Sequence, residues 1–150
     1  ETEAAALAAH RHKTADVARL QRHLKSFESA IGQGQDAVRH DLAFHGAIAQ
    51  ATGNRRFAEL LAALGEGAIP RSRLKDSIPG DEHGPEYLAR VNAEHRAIVD
   101  AIAKGDAERA RQAMRQHLMN SKERRTAAAG LVDSALRSNR RPAPHRRPRR

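Results

Sequence analysis

The segment EHRAIVDAIAKGDAERARQAMRQHL (94–118) decides the fold, because its pattern predicts two helices that meet at Gly105-Asp106. Glycine favours the position just after a helix ends, and aspartate is a preferred N-cap residue. His95 lies ten residues before Gly105, and His117 lies eleven residues after Asp106. At about 1.5 Å per residue, both histidines lie roughly 15–17 Å from the turn. The spacing predicts an antiparallel helical hairpin in which the two histidines can face each other.

The composition of the whole chain also favours helices. Hydrophobic residues make up 39% of the 150 residues but aromatic residues only 3%, so alanine and leucine must supply most of the core. A chain of this length fits one domain. The absence of cysteine excludes disulfides and thiolate metal sites, and no apolar run approaches the ~18 residues of a membrane-spanning helix. We therefore predict an all-α fold, an antiparallel bundle with short connections, and no membrane partner.

Helical periodicity and breaks divide the rest of the chain. Thr14 or Asp16 is predicted to cap the second helix, and Asp36 the third. Asn54, which follows Gly53, is interpreted first as a cap for the fourth. The predicted helices cover an Ala-rich stretch in 1–12, 14–31, 36–52, a stretch from Arg55, 86–104, and a stretch from Ala107 into the 120s or 130s, with a loop over 76–85.

The net charge of +9 is concentrated at the carboxyl end of the chain. Residues 137–150 (RSNRRPAPHRRPRR) hold seven Arg and no acidic residue, which leaves 20 basic against 18 acidic residues in 1–136. A Pro- and Arg-rich run is typical of a disordered, solvated terminus, although it can also bind nucleic acid non-specifically through phosphates. We predict a helical domain over 1–136 and a disordered basic tail over 137–150.

A second pair of polar residues, Asp41 and His45, is spaced four residues apart, which places both on one helix face. Alone, such a pair is more often a surface Asp-His pair. Together with His95 and His117 it predicts a divalent metal site with one carboxylate and three imidazoles. These borderline ligands suit Zn²⁺ first, with Ni²⁺, Fe²⁺ or Mn²⁺ as alternatives. Four donors would close a tetrahedral zinc site, whereas an octahedral metal would keep two positions open.

An enzyme would need more than the four ligands. A metal-dependent hydrolase requires a general base beside an open coordination position. Glu94 adjoins His95, but adjacent helical positions point about 100° apart, so Glu94 is expected to face outward or to cap a network. The sequence shows no Ser-His-Asp set and no phosphate-binding loop. A helical metalloenzyme, such as a small hydrolase or oxygenase, is therefore the alternative rather than the first hypothesis.

Three stretches carry a resemblance to a known family. DLAFHGAIAQATGN (41–54) resembles the D-x-x-F-H…A-x-G-N motif of the FadR-type C-terminal (FCD) domain, the effector-sensing domain of many GntR-superfamily bacterial transcription regulators. The segment 94–118 resembles that domain's second signature, and ETEAAALAAHR (1–11) resembles its first helix. The motifs match in order, spacing and residue type over positions 1 to about 125.

The resemblance implies a bundle of six to seven helices with a metal in its core, held by Asp41, His45, His95 and His117. It also implies that the domain binds a small organic acid and is not an enzyme. Effector binding would change the DNA affinity of a winged helix-turn-helix domain, which would precede Glu1 and is absent from this chain. A homodimer and a cytoplasmic location follow from the same resemblance.

Five residues are candidates for contacts with the effector. Asn92 lies one turn before His95 and could bind the effector or a metal-bound water. Arginine side chains can pair with a carboxylate in bidentate geometry, although each is more often a surface residue. The candidates are Asn92, Arg11, Arg71, Arg73 and Asn54.

Overall fold

The computed structural model describes residues 1–35, 37–68 and 85–139. This part of the chain contains six α-helices and no strand, which confirms the predicted all-α fold. We number the helices in chain order. They are α1 (Thr2–Arg11), α2 (Thr14–Gly32), α3 (Val38–Ala51), α4 (Arg55–Ala68), α5 (Pro85–Ala103) and α6 (Ala107–Asn139).

The turn between α5 and α6 forms as its sequence predicts. Gly105 has a φ of +69°, a left-handed conformation that favours glycine. Its N–H donates to Ile102 O, and the Asp106 N–H donates to Ala101 O, so the end of α5 is a Schellman motif. The Asp106 carboxylate then accepts a 3.0 Å hydrogen bond from the Arg109 N–H and caps α6. The two helices pack against each other as a hairpin.

The predicted cap of α2 is wrong in detail. The N-cap position is Lys13, so Thr14 lies inside the helix and Asp16 is its third residue. The Asp16 carboxylate accepts a 2.9 Å hydrogen bond from the Lys13 N–H, half of a capping box. Lysine is not a preferred N-cap residue. The hydrogen bond from the Lys13 N–H to Asp16 explains why the helix nevertheless begins just after Lys13.

Other predicted boundaries hold to within a few residues. Asn54 Oδ1 accepts a 3.0 Å hydrogen bond from the Arg56 N–H, which confirms Asn54 as the cap of α4. The predicted cap Asp36 and residues 76–84 of the predicted loop lie outside the described residues. Helix α6 continues to Asn139, three residues beyond the predicted domain end at 136, and the rest of the predicted tail lies outside the described residues.

Small residues bring the helices of the core close together. Ala5 and Ala8 on α1 are fully buried, and α1 packs against α3, α5 and α6. Larger side chains fill the interior between them: Leu20, Phe44, Ile48, Ile98, Ile102 and Met114. Because α1 packs against three helices mainly through alanine, this part of the core needs few aromatic side chains. No helix among the described residues is long and apolar enough to span a membrane.

Candidate metal centre

Four buried ionisable residues converge from three helices. Helix α3 supplies Asp41 and His45, α5 supplies His95, and α6 supplies His117. Their exposed fractions are 2%, 5%, 0% and 2%. Burying polar groups is costly unless they are paired or bind an ion. A cluster of four in an alanine-rich interior therefore indicates a binding site.

The donor atoms lie at spacings that a metal ion requires. Asp41 Oδ1 is 3.2 Å from His95 Nε2 and 3.9 Å from His45 Nε2. His45 Nε2 is 3.3 Å from His117 Nε2, and one donor atom from each of the four residues lies within 4.8 Å of the others. Bonds of about 2.1 Å to one ion place tetrahedral donors about 3.4 Å apart and octahedral donors about 3.0 or 4.2 Å apart. The four side chains fit a single divalent ion.

The hairpin register brings His95 and His117 together. Their ring centroids lie 4.7 Å apart, as expected for two residues at equal distances from the turn. The ring of His95 also stacks on Phe44, with centroids 4.2 Å apart, and meets the edge of Phe27 at 5.2 Å. Phe44 is fully buried, so it packs in the core behind the His95 ring. Aromatic packing therefore fixes the orientation of His95.

Burial also fixes the charge of His95. Desolvation lowers the pKa of His95 to about 4, against the opposing effect of the Asp41 carboxylate. At neutral pH the ring is therefore uncharged, which is the form that coordinates metals. Its Nδ1 atom is buried and has no hydrogen-bond partner among the described residues.

Glu94 faces inward, behind His117. Its Oε2 atom lies 2.8 Å from His117 Nδ1, and its two oxygens also accept hydrogen bonds from Asn120 and Arg124. Burial alone would raise the pKa of Glu94, but the hydrogen bonds from His117, Arg124 and Asn120 outweigh it and lower the pKa to about 2. The expectation that Glu94 caps a network is confirmed, and the outward orientation is wrong.

His45 has a carboxylate behind it in the same way. Glu1 Oε2 lies 2.5 Å from His45 Nδ1, on the side of the ring opposite the cluster. Burial raises the pKa of the Glu1 carboxyl, but the contact with His45 outweighs it, and the net pKa is lowered. Carboxylates that accept from the outer nitrogen of a histidine are typical of metal sites, where they fix the tautomer and the ring orientation.

The predicted effector contacts are dispersed. Asn92 is 4% exposed, and its Oδ1 atom has no hydrogen-bond partner among the described residues. Arg11 donates a 3.3 Å hydrogen bond to Thr52 O, and Asn54 caps α4. Arg71 and Arg73 lie outside the described residues. Among the three candidates that the structure describes, Asn92 is therefore the one whose side chain combines burial with an unsatisfied polar atom.

Three residues of the site were missed by sequence reasoning: Glu1, Asn120 and Arg124. Asn120 and Arg124 follow His117 by three and seven residues, the spacing of one helix face. That periodicity was the available signal for both. Glu1 carries no comparable signal, because its approach to His45 depends on how α1 packs on α3.

A small cavity adjoins His45. It measures about 120 Å³, and its ionisable lining residues are Glu1 and His45. Its apolar lining comes from α1, α3, α4 and α6: Ala4, Ile48, Ala49, Phe57, Leu60, Leu61 and Met114. A mainly apolar cavity with a few polar groups at one side is typical of a small-molecule site.

The sequence was also compared with known proteins. The FCD domain family matches residues 1–120. The "Putative L-lactate dehydrogenase operon regulatory protein" of Escherichia coli (strain K12) is 32% identical over 93 residues, 61% of this chain and 35% of that protein. The "HTH-type transcriptional regulator LutR" of Bacillus subtilis (strain 168) is 31% identical over 116 residues, 77% of this chain and 52% of that protein.

The chain thus spans between about a third and about half the length of these curated relatives. Both are named as regulators, and the FCD domain is a regulatory ligand-sensing domain. This confirms the prediction of a domain that is not an enzyme and removes the support for the metalloenzyme alternative. The match over most of the sequence, together with the six-helix fold and the buried Asp-His cluster, shows that this chain belongs to the FCD domain family.

Proposed function

We propose that this chain is the metal-dependent effector-binding domain of a DNA-binding transcription regulator, and that its effector is a small organic acid. One observation carries the metal dependence: one carboxylate and three imidazole donors from three helices converge in a buried cluster. Family membership supports the sensory role.

In this proposal Asp41, His45, His95 and His117 hold one divalent ion. Zn²⁺ is the first candidate, because a mixed imidazole and carboxylate donor set suits it, and Ni²⁺, Fe²⁺ or Mn²⁺ are alternatives. When bound, the ion supplies positive charge and, if octahedral, two open positions for an anion. The protein residues supply the fixed donors, and their burial keeps bulk water from competing.

The effector class follows from charge and from relatives. Asp41 is the one carboxylate among the four donors, so a divalent ion there retains positive charge and attracts an anion. The name of the Escherichia coli relative refers to an L-lactate dehydrogenase operon, which supports a hydroxy acid. The cavity of about 120 Å³ beside His45 has room for a small acid. Asn92 does not line this cavity, but its buried Oδ1 atom, one turn before His95 on α5, is a separate candidate acceptor for a hydroxyl group.

The regulatory output belongs to the whole protein. The curated relatives are two to three times as long as the segments that match this chain, which leaves room for a separate DNA-binding domain. In the proposal, a winged helix-turn-helix domain before Glu1 contacts DNA, the protein acts as a homodimer in the cytoplasm, and the acid changes its DNA affinity.

Titration calorimetry tests the proposal directly. Zn²⁺-loaded wild-type protein is titrated with L-lactate, D-lactate, gluconate and citrate, and native mass spectrometry reports the metal content before each run. We expect one equivalent of metal and saturable binding of at least one hydroxy acid. His95→Ala should lose both, whereas His10→Ala, which changes an exposed histidine of α1, should lose neither.

Three results would overturn different parts of the proposal. Acid binding that persists with unchanged affinity after complete metal removal would place the acid away from the metal. A site with one metal but no affinity for any acid of the panel would leave the metal as a structural element. Conversion of a bound acid into a product would contradict the sensory role, since a sensor returns its ligand unchanged.

A further inference from the structure

The carboxylate of Glu94, on α5, accepts hydrogen bonds from three residues of α6. It accepts a hydrogen bond of 2.8 Å from His117 Nδ1 and one of 2.7 Å from Asn120 Nδ2. Two more, of 2.8 and 3.1 Å, come from the two terminal nitrogens of Arg124. The side chains of Glu94 and Arg124 are 17% and 18% exposed. Four hydrogen bonds in a partly buried setting leave the carboxylate little freedom to rotate.

These contacts determine which nitrogen of His117 carries the proton. A neutral imidazole has one N–H, and an ionised carboxylate can only accept. The 2.8 Å contact with Glu94 therefore places the proton of His117 on Nδ1 and leaves a lone pair on Nε2. That Nε2 atom is the one that faces His45 and the rest of the cluster.

We propose that Glu94 is a positioning residue, which fixes His117 in the tautomer and orientation that present Nε2 to the metal. Asn120 and Arg124 in turn hold Glu94 in place. The inference rests on the proposed metal site but goes beyond it, because it assigns a role to three residues that are not ligands.

Arg124 extends this network along the bundle. Its guanidinium lies 5.3 Å from the ring centre of Tyr87, near the start of α5, and it is seven residues beyond His117 on α6. The network thus fastens the middle of α6 to both the middle and the start of α5.

The first test measures Zn²⁺ affinity by competition with a chromophoric chelator. In Glu94→Gln, the amide NH₂ replaces one carboxylate oxygen and meets an Arg124 N–H, donor against donor, in either orientation, because Arg124 donates to both oxygens of Glu94. We expect the variant to bind Zn²⁺ about 10- to 100-fold more weakly, the usual cost of losing such a partner. Helicity of the metal-free variant should equal that of the wild type. Wild-type Zn²⁺ affinity in the variant would overturn the inference.

Glu3→Gln is the matched control. Glu3 also pairs with an arginine of α6 through both oxygens, at 2.8 and 3.2 Å from Arg111, but its side chain is 64% exposed and it contacts no histidine of the cluster. We expect its Zn²⁺ affinity to stay within about twofold of the wild type, since exposed ion pairs contribute little. An equal loss in both variants would show a general effect of α6 packing and overturn the inference.

The second test has a readout that a merely structural role would not move. Nitrogen-15 NMR of metal-free wild-type protein reports which nitrogen of each histidine is protonated. We expect the Nδ1–H form for His117, and a smaller fraction of that form in Glu94→Gln. The Nε2–H form in the wild type would overturn the inference. If Glu94→Gln does not fold, Asn120→Ala replaces it, with an expected loss of Zn²⁺ affinity of about three- to tenfold.

The two proposals fail in distinguishable ways. Wild-type protein that binds no Zn²⁺ in the chelator competition would contradict the metal site itself. Wild-type protein that binds Zn²⁺, combined with an unaffected Glu94→Gln variant, would contradict only the positioning role of Glu94.

Discussion

The Nε2 atoms of His45 and His117 face each other at 3.3 Å, between α3 and α6. Behind each ring a carboxylate approaches Nδ1: Glu1 behind His45 and Glu94 behind His117. Two neutral rings with both protons on Nδ1 turn two lone pairs toward each other, which is unfavourable in a buried site. A cation at the cluster removes this conflict, whether a metal ion or a proton on one ring.

The metal is therefore expected to stabilise the fold. It would join three helices through Asp41, His45, His95 and His117. At a free Zn²⁺ concentration about 100 times Kd, binding to the native state alone adds about 2.7 kcal/mol, which raises Tm by about 8 °C in a domain of this size. Calorimetric scans at neutral pH, before and after chelation, measure the difference.

Asp41→Asn is the control for this prediction. It keeps the shape of the side chain but removes the one charged donor of the cluster. Its Tm should respond much less to Zn²⁺ and to chelator than that of the wild type. An unchanged wild-type melting curve after verified metal removal would contradict a structural contribution of the metal.

Phe44→Ala should combine a loss of packing with a loss of order at the site. Phe44 is fully buried and stacks on His95 at 4.2 Å, so its truncation opens a cavity beside a metal ligand. We expect the free energy of unfolding to fall by about 3–5 kcal/mol. Urea denaturation of metal-free protein measures it. Leu60→Ala, at a leucine 58% exposed, should change it by only about 0.5 kcal/mol, and equal losses would contradict the assigned role of Phe44.

Local chemistry made part of this structure predictable from sequence. Gly105-Asp106 fixes a turn because few residue types suit a left-handed conformation followed by an N-cap. Once the turn is placed, the helical rise sets His95 opposite His117, and the 4.7 Å between their rings agrees. These inferences need no tertiary information beyond the hairpin.

Other features depend on how distant helices meet, and no local pattern carries that information. The hydrogen bonds from Arg124 to Glu94 join residues 30 positions apart, and the orientation of Glu94 was predicted only as one of two alternatives. Glu1 reaches His45 because α1 packs on α3. The N-cap of α2 at Lys13 was missed because it depends on a hydrogen bond from the Lys13 N–H to the Asp16 side chain three residues later.

The capping box of α2 should make stability depend on acid. The hydrogen bond from the Lys13 backbone outweighs partial burial and, with Arg19, lowers the pKa of Asp16 below its usual value of 3.8. Because the folded pKa is depressed, this contribution is fully present above pH 3.8 and is lost as the pH falls through the folded pKa. Asp16→Asn should cost about 1 kcal/mol at pH 7 and progressively less as the carboxylate is protonated.

Urea denaturation at a series of pH values measures that difference. Glu28→Gln is a suitable reference, because Glu28 is 57% exposed and pairs with Arg96 at the surface of the bundle. Its effect should be small at every pH. A cost for Asp16→Asn that is the same at pH 7 and at pH 3 would contradict the assignment to the charged carboxylate.

Removal of residues 140–150 should leave the domain intact. This segment (RRPAPHRRPRR) follows the last residue of α6, Asn139. It contains six Arg, and its apolar residues are one alanine and three prolines. Because it has no hydrophobic periodicity, it cannot bury a helix face. We expect the truncated chain to keep its helicity, its cooperative unfolding and one equivalent of metal, measured by circular dichroism, urea denaturation and native mass spectrometry. Loss of cooperative unfolding on truncation would show instead that these residues belong to the folded domain.

The truncation should also weaken non-specific binding to DNA. Retention on immobilised DNA at low salt should decrease, since six positive charges that can neutralise phosphates are lost.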